Sequence, residues 1–176
     1  MDELVAALLS WAVLLSGYPA PPAPPRVERV AHAFLVDRAC AGRECKVLGW
    51  YEGKDVVYLD DRLDPAGDLV AASVLVHELT HYLQGVSARR IAANAGSTER
   101  APGWQFTDCS TTLSLEREAY AAQQAFLVRY GAYRPVGASM HGVGCEATER
   151  RERSAQSGPE DAASDAPRAA GLPSWP

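Results

Sequence analysis

The run Val74-Leu75-Val76-His77-Glu78-Leu79-Thr80-His81-Tyr82-Leu83-Gln84 sets two histidines and a glutamate into an otherwise apolar segment. From Leu69 the pattern is helical as far as Gln84, and Gly85 is well placed to stop the helix. Residues four apart share one face of a helix, so the imidazoles of His77 and His81 can both reach a single ion. Glu78 follows His77 by about 100° of rotation, which places its carboxylate beside that ion without ligating it. From there it can take a proton from a bound water and pass it to a leaving amine. A solvated helix face with two incidental histidines is the competing reading. It fits badly with Val74, Leu75, Val76 and Leu79, among which His and Glu are costly unless they have partners.

Tetrahedral zinc with a reactive water needs a third protein ligand. The other two histidines, His32 and His141, lie in weakly patterned segments. A second long helix is predicted from about Ser114, as N-cap, to Tyr130, with Gly131 closing it. Its apolar arc is Leu115, Ala119, Ala122, Phe126 and Tyr130. Glu116 lies about 60° from the centre of that arc and Glu118 about 100° away, while Arg117 points outward. Glu116 is therefore the more inward carboxylate; its plain alternative is a helix-start glutamate favoured by the helix dipole. Tyr120, one turn beyond Glu116, is placed either to hydrogen-bond it and steady an oxyanion or simply to fill the core. Gln84 and Gln123 are polar positions on apolar helices, suited to linking the two.

His77-Glu78-Leu79-Thr80-His81 followed by Glu116-x-x-Ala119 resembles the gluzincins, zinc peptidases whose third ligand is a glutamate on a later helix. In several of those families the ligand stands first in Glu-x-x-Ala-Asp or Glu-x-x-Ala-Asn, and the resemblance maps it to Glu116 rather than Glu118. The sequence departs at the last position, where Tyr120 replaces Asp or Asn. The run from Pro25-Arg26-Val27 to Glu116-x-x-Ala119-Tyr120-x-x-Gln123 is similar to a small bacterial family of uncharacterised metallopeptidases. That similarity covers residues 1 to about 145. It implies a catalytic class and no particular substrate.

Around these helices the chain is punctuated by short elements. Leu4, Leu8, Trp11 and Leu15 recur at helical spacing, and Gly17-Tyr18-Pro19 ends that helix before a proline-rich extended segment. Val27–Val30 suits a strand and Ala31–Ala39 a helix. Lys46–Glu52 and Asp55–Asp60 are aromatic and β-branched runs joined at Gly53-Lys54, a hairpin signal. Val56–Leu59 is the candidate edge strand for an extended substrate. Asp64-Pro65 or Asp68 caps the motif helix. Residues 86–108 lack a period and suggest a cleft wall or flap. Beyond Cys145 the composition turns to Glu, Arg, Ser, Ala and Pro, as in a disordered tail.

At 176 residues the chain fits one domain, taken as 1–145 with a tail at 146–176. Hydrophobic residues at 47% and charged residues at 22% exclude a fibrous or wholly disordered chain. A net charge of -5 argues against a nucleic-acid partner. No apolar run approaches the roughly 20 residues of a membrane span, and Asp2 and Glu3 stand where a signal peptide needs basic residues. Four cysteines allow three pairings; Cys40–Cys45 with Cys109–Cys145 is favoured over four buried thiols. Paired cysteines would favour a periplasmic or secreted location.

The resulting expectation is a small zincin-like α+β domain, its active-site helix and ligand helix packed with a short sheet. Zn2+ is held by His77, His81 and Glu116, and Glu78 is the general base for hydrolysis of a peptide or protein substrate. The alternative is a zinc-stabilised binding module that keeps the fold without turnover.

Overall fold

The computed structural model, which describes residues 2–95, 108–138 and 145, contains four helices and a small three-stranded sheet, an α+β arrangement. In chain order these are α1 (Asp2–Ser16), β1 (Arg26–Val30), α2 (His32–Cys40), β2 (Gly49–Tyr51), β3 (Val56–Asp60), α3 (Leu69–Asn94) and α4 (Cys109–Arg129). All seven belong to the unit Met1–Gly142; in Val143–Pro176 only Cys145 is described. Of the segment 86–108 expected as a cleft wall or flap, residues 86–94 are helical and 96–107 lie outside the described residues, as do the tail at 146–176 and His141.

The central element is α3. Leu75, Val76, Leu79, Tyr82 and Leu83 fill one face of it, and His77, Glu78, Thr80, His81 and Gln84 are buried on the others, so the helix is packed all round. Val5, Leu8, Leu9 and Ala12 of α1, Val57 of β3 and Phe126 of α4 complete the core around it. Of the expected series Leu4, Leu8, Trp11 and Leu15, Leu8 is buried and the other three are partly buried, the buried stripe running through Val5, Leu8, Leu9 and Ala12.

Asp68, not Asp64, caps α3: its Oδ1 accepts from the backbone N–H groups of Val70 and Ala71 at 2.6 and 2.9 Å. The helix does not stop at Gly85 but runs two and a half turns further. Gly85 is there because Tyr51 packs against it; a Cβ would sit 2.9 Å from the Tyr51 Cε1. Arg89, one turn on, holds the hydroxyl end of that ring in place, donating to Tyr51 Oη at 3.0 Å and to the Gly53 carbonyl at 2.8 Å. Helix α4 likewise starts before Ser114. Asp108 is its cap and accepts from the Thr111 N–H at 3.0 Å and the Thr111 hydroxyl at 2.7 Å.

The sheet order is β1-β3-β2, with β1 parallel and β2 antiparallel to β3. Val56–Leu59 is therefore central and not the edge strand expected, and β1 and β2 are the edges. The hairpin arms are shorter than their aromatic runs, with Gly53 at φ +85° in the connection. The Asp60 N–H donates to the Leu48 carbonyl at 3.0 Å, and Trp50 lies opposite Tyr58. Alternation along an antiparallel pair then turns the N–H and C=O of Gly49 away from β3, toward the outer edge.

Buried Asp60 ties the end of β3 to its surroundings, accepting from Arg62 Nε at 2.7 Å and lying 2.9 Å from His32 Nδ1. The Arg62 guanidinium is the main cause that lowers its pKa to about 2. His32 thus has a structural partner, far in role from a metal ligand. Cys40 and Cys45 form a disulfide, Cys109 and Cys145 are likewise disulfide-bonded, and no cysteine is free. Among the described residues no helix is long and apolar enough to cross a membrane.

Candidate metal centre

His77 and His81, one turn apart on α3, direct Nε2 atoms to within 3.0 Å of each other. The α3–α4 packing brings Glu116 across from them. Its Oε2 lies 3.5 Å from His77 Nε2 and its Oε1 3.4 Å from His81 Nε2, so the carboxylate straddles both rings. One ligand atom from each of the three residues lies within 4.8 Å of the others. Zinc with bonds of about 2.0–2.1 Å has tetrahedral edges of about 3.3 Å, close to these donor separations. The donor set of two imidazoles and one carboxylate also suits that ion.

Helix geometry explains who faces inward. Glu116 is half-buried, whereas Glu118, two residues on, projects to the side and accepts from Tyr18 Oη at 2.7 Å and Gln84 Nε2 at 3.1 Å. The buried face of α4 is Leu113, Ala119, Ala122, Gln123, Phe126 and Leu127, while Tyr130 is exposed. This shifts the arc toward Gln123, whose Nε2 donates to Ser73 Oγ at 3.1 Å and links the helices at that level.

The electrostatics follow from burial opposed by contact. Burial lowers the pKa of His77, and the neighbouring Glu116 only partly offsets it. His81 is also penalised by burial, but Glu116, Glu78 and Gln84 outweigh this and raise its pKa. Glu116 is pulled well below the usual carboxylate range: the two histidines overcome the burial that would raise it. Glu78 is pushed up to about 7 by burial, with the charge of Glu116 adding to the shift and His81 opposing it. A carboxyl poised there can both accept and return a proton near neutral pH.

The four residues lie in a cavity of about 410 Å3 lined also by Lys46–Tyr51, Val74, Tyr120 and Val136. Strand β2 thus forms one wall, and Cys40 of the disulfide stands at the same cavity. Gly49 meets Glu78 so closely that a Cβ would lie 2.5 Å from Glu78 Cγ. Tyr120 packs edge-on against the His77 ring at 4.4 Å between centroids, and Gly137 leaves room for it.

Comparison with protein-family models, curated proteins and solved structures gives no match. Gly49, Gly137 and the Tyr18–Glu118 contact escaped the sequence reading, whereas Gln84, expected to link the two helices, does so through Leu115 and Glu118. Only Gln84 carried a local signal, standing three residues after His81 on the same helix face.

Proposed function

We propose that the chain is a zinc-dependent peptidase of the gluzincin type, with a zincin-like grouping of active-site helix, ligand helix and flanking strand. The observation that carries this reading is the convergence of His77, His81 and Glu116 beside buried Glu78, in a cavity walled by an outer β-strand.

His77, His81 and Glu116 would hold zinc, which when bound would supply Lewis acidity to polarise a scissile carbonyl and acidify water at the site. Glu78 accepts the proton of the attacking water and delivers it to the leaving amine, and a pKa near 7 suits both steps. Tyr120, at the cavity and against His77, steadies charge developing on the substrate oxygen. The outward N–H and C=O of Gly49 offer a strand-pairing site for an extended peptide, which would hold its backbone across the metal centre. The paired cysteines favour an oxidising, extracytoplasmic setting.

An unbiased peptide library incubated with the zinc-loaded protein and with its Glu78→Gln variant tests this reading. Cleavage by the first, lowered about 10²–10⁴-fold in the second at equal zinc content, is the expected result. Similar cleavage by both removes Glu78 from the mechanism. Full zinc occupancy with no cleavage by either favours the binding module instead.

A further inference from the structure

We propose that Gln84, held in orientation by Glu118, is a positioning residue that fixes the tautomer of His81 and so presents its Nε2 lone pair to the centre. Gln84 is buried on α3, one turn beyond His81, with Oε1 2.8 Å from His81 Nδ1. Its Nε2 donates to the Leu115 carbonyl at 3.0 Å and to Glu118 Oε2 at 3.1 Å, both on α4. Those two partners are acceptors only. Turning the amide over would set its oxygen against a carbonyl and a carboxylate, and would leave its NH2 facing His81. The amide is therefore locked with Oε1 toward the imidazole. An oxygen acceptor at Nδ1 requires the proton there, and a neutral imidazole with Nδ1–H carries its lone pair on Nε2.

The chain of contacts extends one step further. Tyr18 Oη donates to the same Glu118 oxygen at 2.7 Å, so the carboxylate is held from α1's end of the molecule as well. A hydrogen bond to a carboxylate is stronger than a neutral one, which gives Glu118 the hold on Gln84 that a solvent-exposed amide would lack. His77 is held less firmly: its buried Nδ1 makes no hydrogen bond of good geometry, although the Gln123 amide, whose Nε2 goes to Ser73, stands close enough to favour its protonated form. The two histidines are therefore unequal. His81 is preset by a 2.8 Å contact, and His77 has only the looser Gln123 contact.

This rests on the ligand assignment of the preceding section for its consequence, but the tautomer itself is readable without metal. The experiment is nitrogen-resolved NMR of the histidine side chains in metal-free protein at about pH 9, well above the ordinary histidine pKa of about 6.5. It is run on wild type, Gln84→Met, Glu118→Ala and Glu118→Gln, each followed by zinc titration. His81 should be Nδ1–H in wild type and in Glu118→Gln, whose amide oxygen still accepts from Gln84 and Tyr18. In Gln84→Met it should shift to a mixture or to Nε2–H, with zinc affinity lowered about 10–100-fold, as for loss of a partner that orients a ligand. Glu118→Ala, which leaves the core untouched, should give the same direction with a smaller loss. An Nε2–H His81 in wild type, or an unchanged tautomer in both Gln84→Met and Glu118→Ala, overturns the proposal. A wild type with Nδ1–H His81 that binds no zinc supports the positioning role and overturns the zinc reading.

Discussion

The backbone of Gly49 and the carboxyl-bearing side chain of Glu78 occupy adjoining space with no room for a methyl group between them. One belongs to an outer strand whose hydrogen-bonding edge is turned outward, the other to the helix that bears both histidines. Their contact fixes the strand at the height of the proposed base. A substrate backbone lying along β2 would then pass Glu78 at a set distance.

Gly49→Ala should accordingly impair turnover more than metal binding. The added Cβ forces either Glu78 or β2 to move, an overpacking cost of about 1–3 kcal/mol. Zinc titration and library cleavage on the same preparation check this. Unchanged cleavage would show that the close approach has no bearing on catalysis.

Glu116→Ala should weaken zinc binding far more than Glu118→Ala does. The first removes a donor facing both imidazoles, the second only loosens Gln84. Competition with a chelator reads the two losses, and equal losses would mean that the third ligand is misassigned.

Glu78→Gln should stabilise the metal-free protein at alkaline pH. The folded pKa of about 7 exceeds the ordinary 4.5, so the folded chain holds this proton more tightly than the unfolded one. Its contribution is complete below about pH 4.5 and is lost as pH rises through 7. Glutamine, always uncharged, escapes that loss. Thermal unfolding should show the variant near wild type at about pH 4.5 and ahead by on the order of a few kcal/mol at pH 8. A variant no more stable than wild type at pH 8 contradicts the burial penalty assigned to Glu78.

Gly85→Ala should destabilise the fold even though alanine is the better helix former by about 1 kcal/mol. Tyr51 is fully buried and held by Arg89, so its ring cannot swing away from an added methyl. A net loss of about 1–3 kcal/mol in denaturant unfolding is expected. A gain would mean that Tyr51 has another place to go.

Periodicity carried the α+β reading and located the two long helices, because a 3.6-residue repeat is written in neighbouring residues. Helix geometry alone also separated Glu116 from Glu118, which the structure sets on different partners. What the sequence hid depends on residues far apart in the chain. Gly85 reads as a stop until Tyr51 is seen against it. Val56–Leu59 reads as an edge until β1, some thirty residues earlier, pairs with it in parallel. Asp108 and Ser114 are both good caps, and local preference cannot rank them; Thr111 satisfies Asp108 with two hydrogen bonds. The Gln84 amide had a visible neighbour in His81, but its other partners lie on a different helix.

Helix α3 is enclosed by α1, α4 and the sheet, and the two histidines and Glu78 stand on its most enclosed stretch. Substitutions that would shift these side chains therefore also disturb the packing that keeps the chain folded, and selection for stability guards their spacing without regard to activity. The cavity rim at Lys46–Leu48, exposed or half-buried, is under no such double constraint. A lineage could exchange residues there and change what enters the cavity, while inheriting the placement of His77, Glu78 and His81 intact.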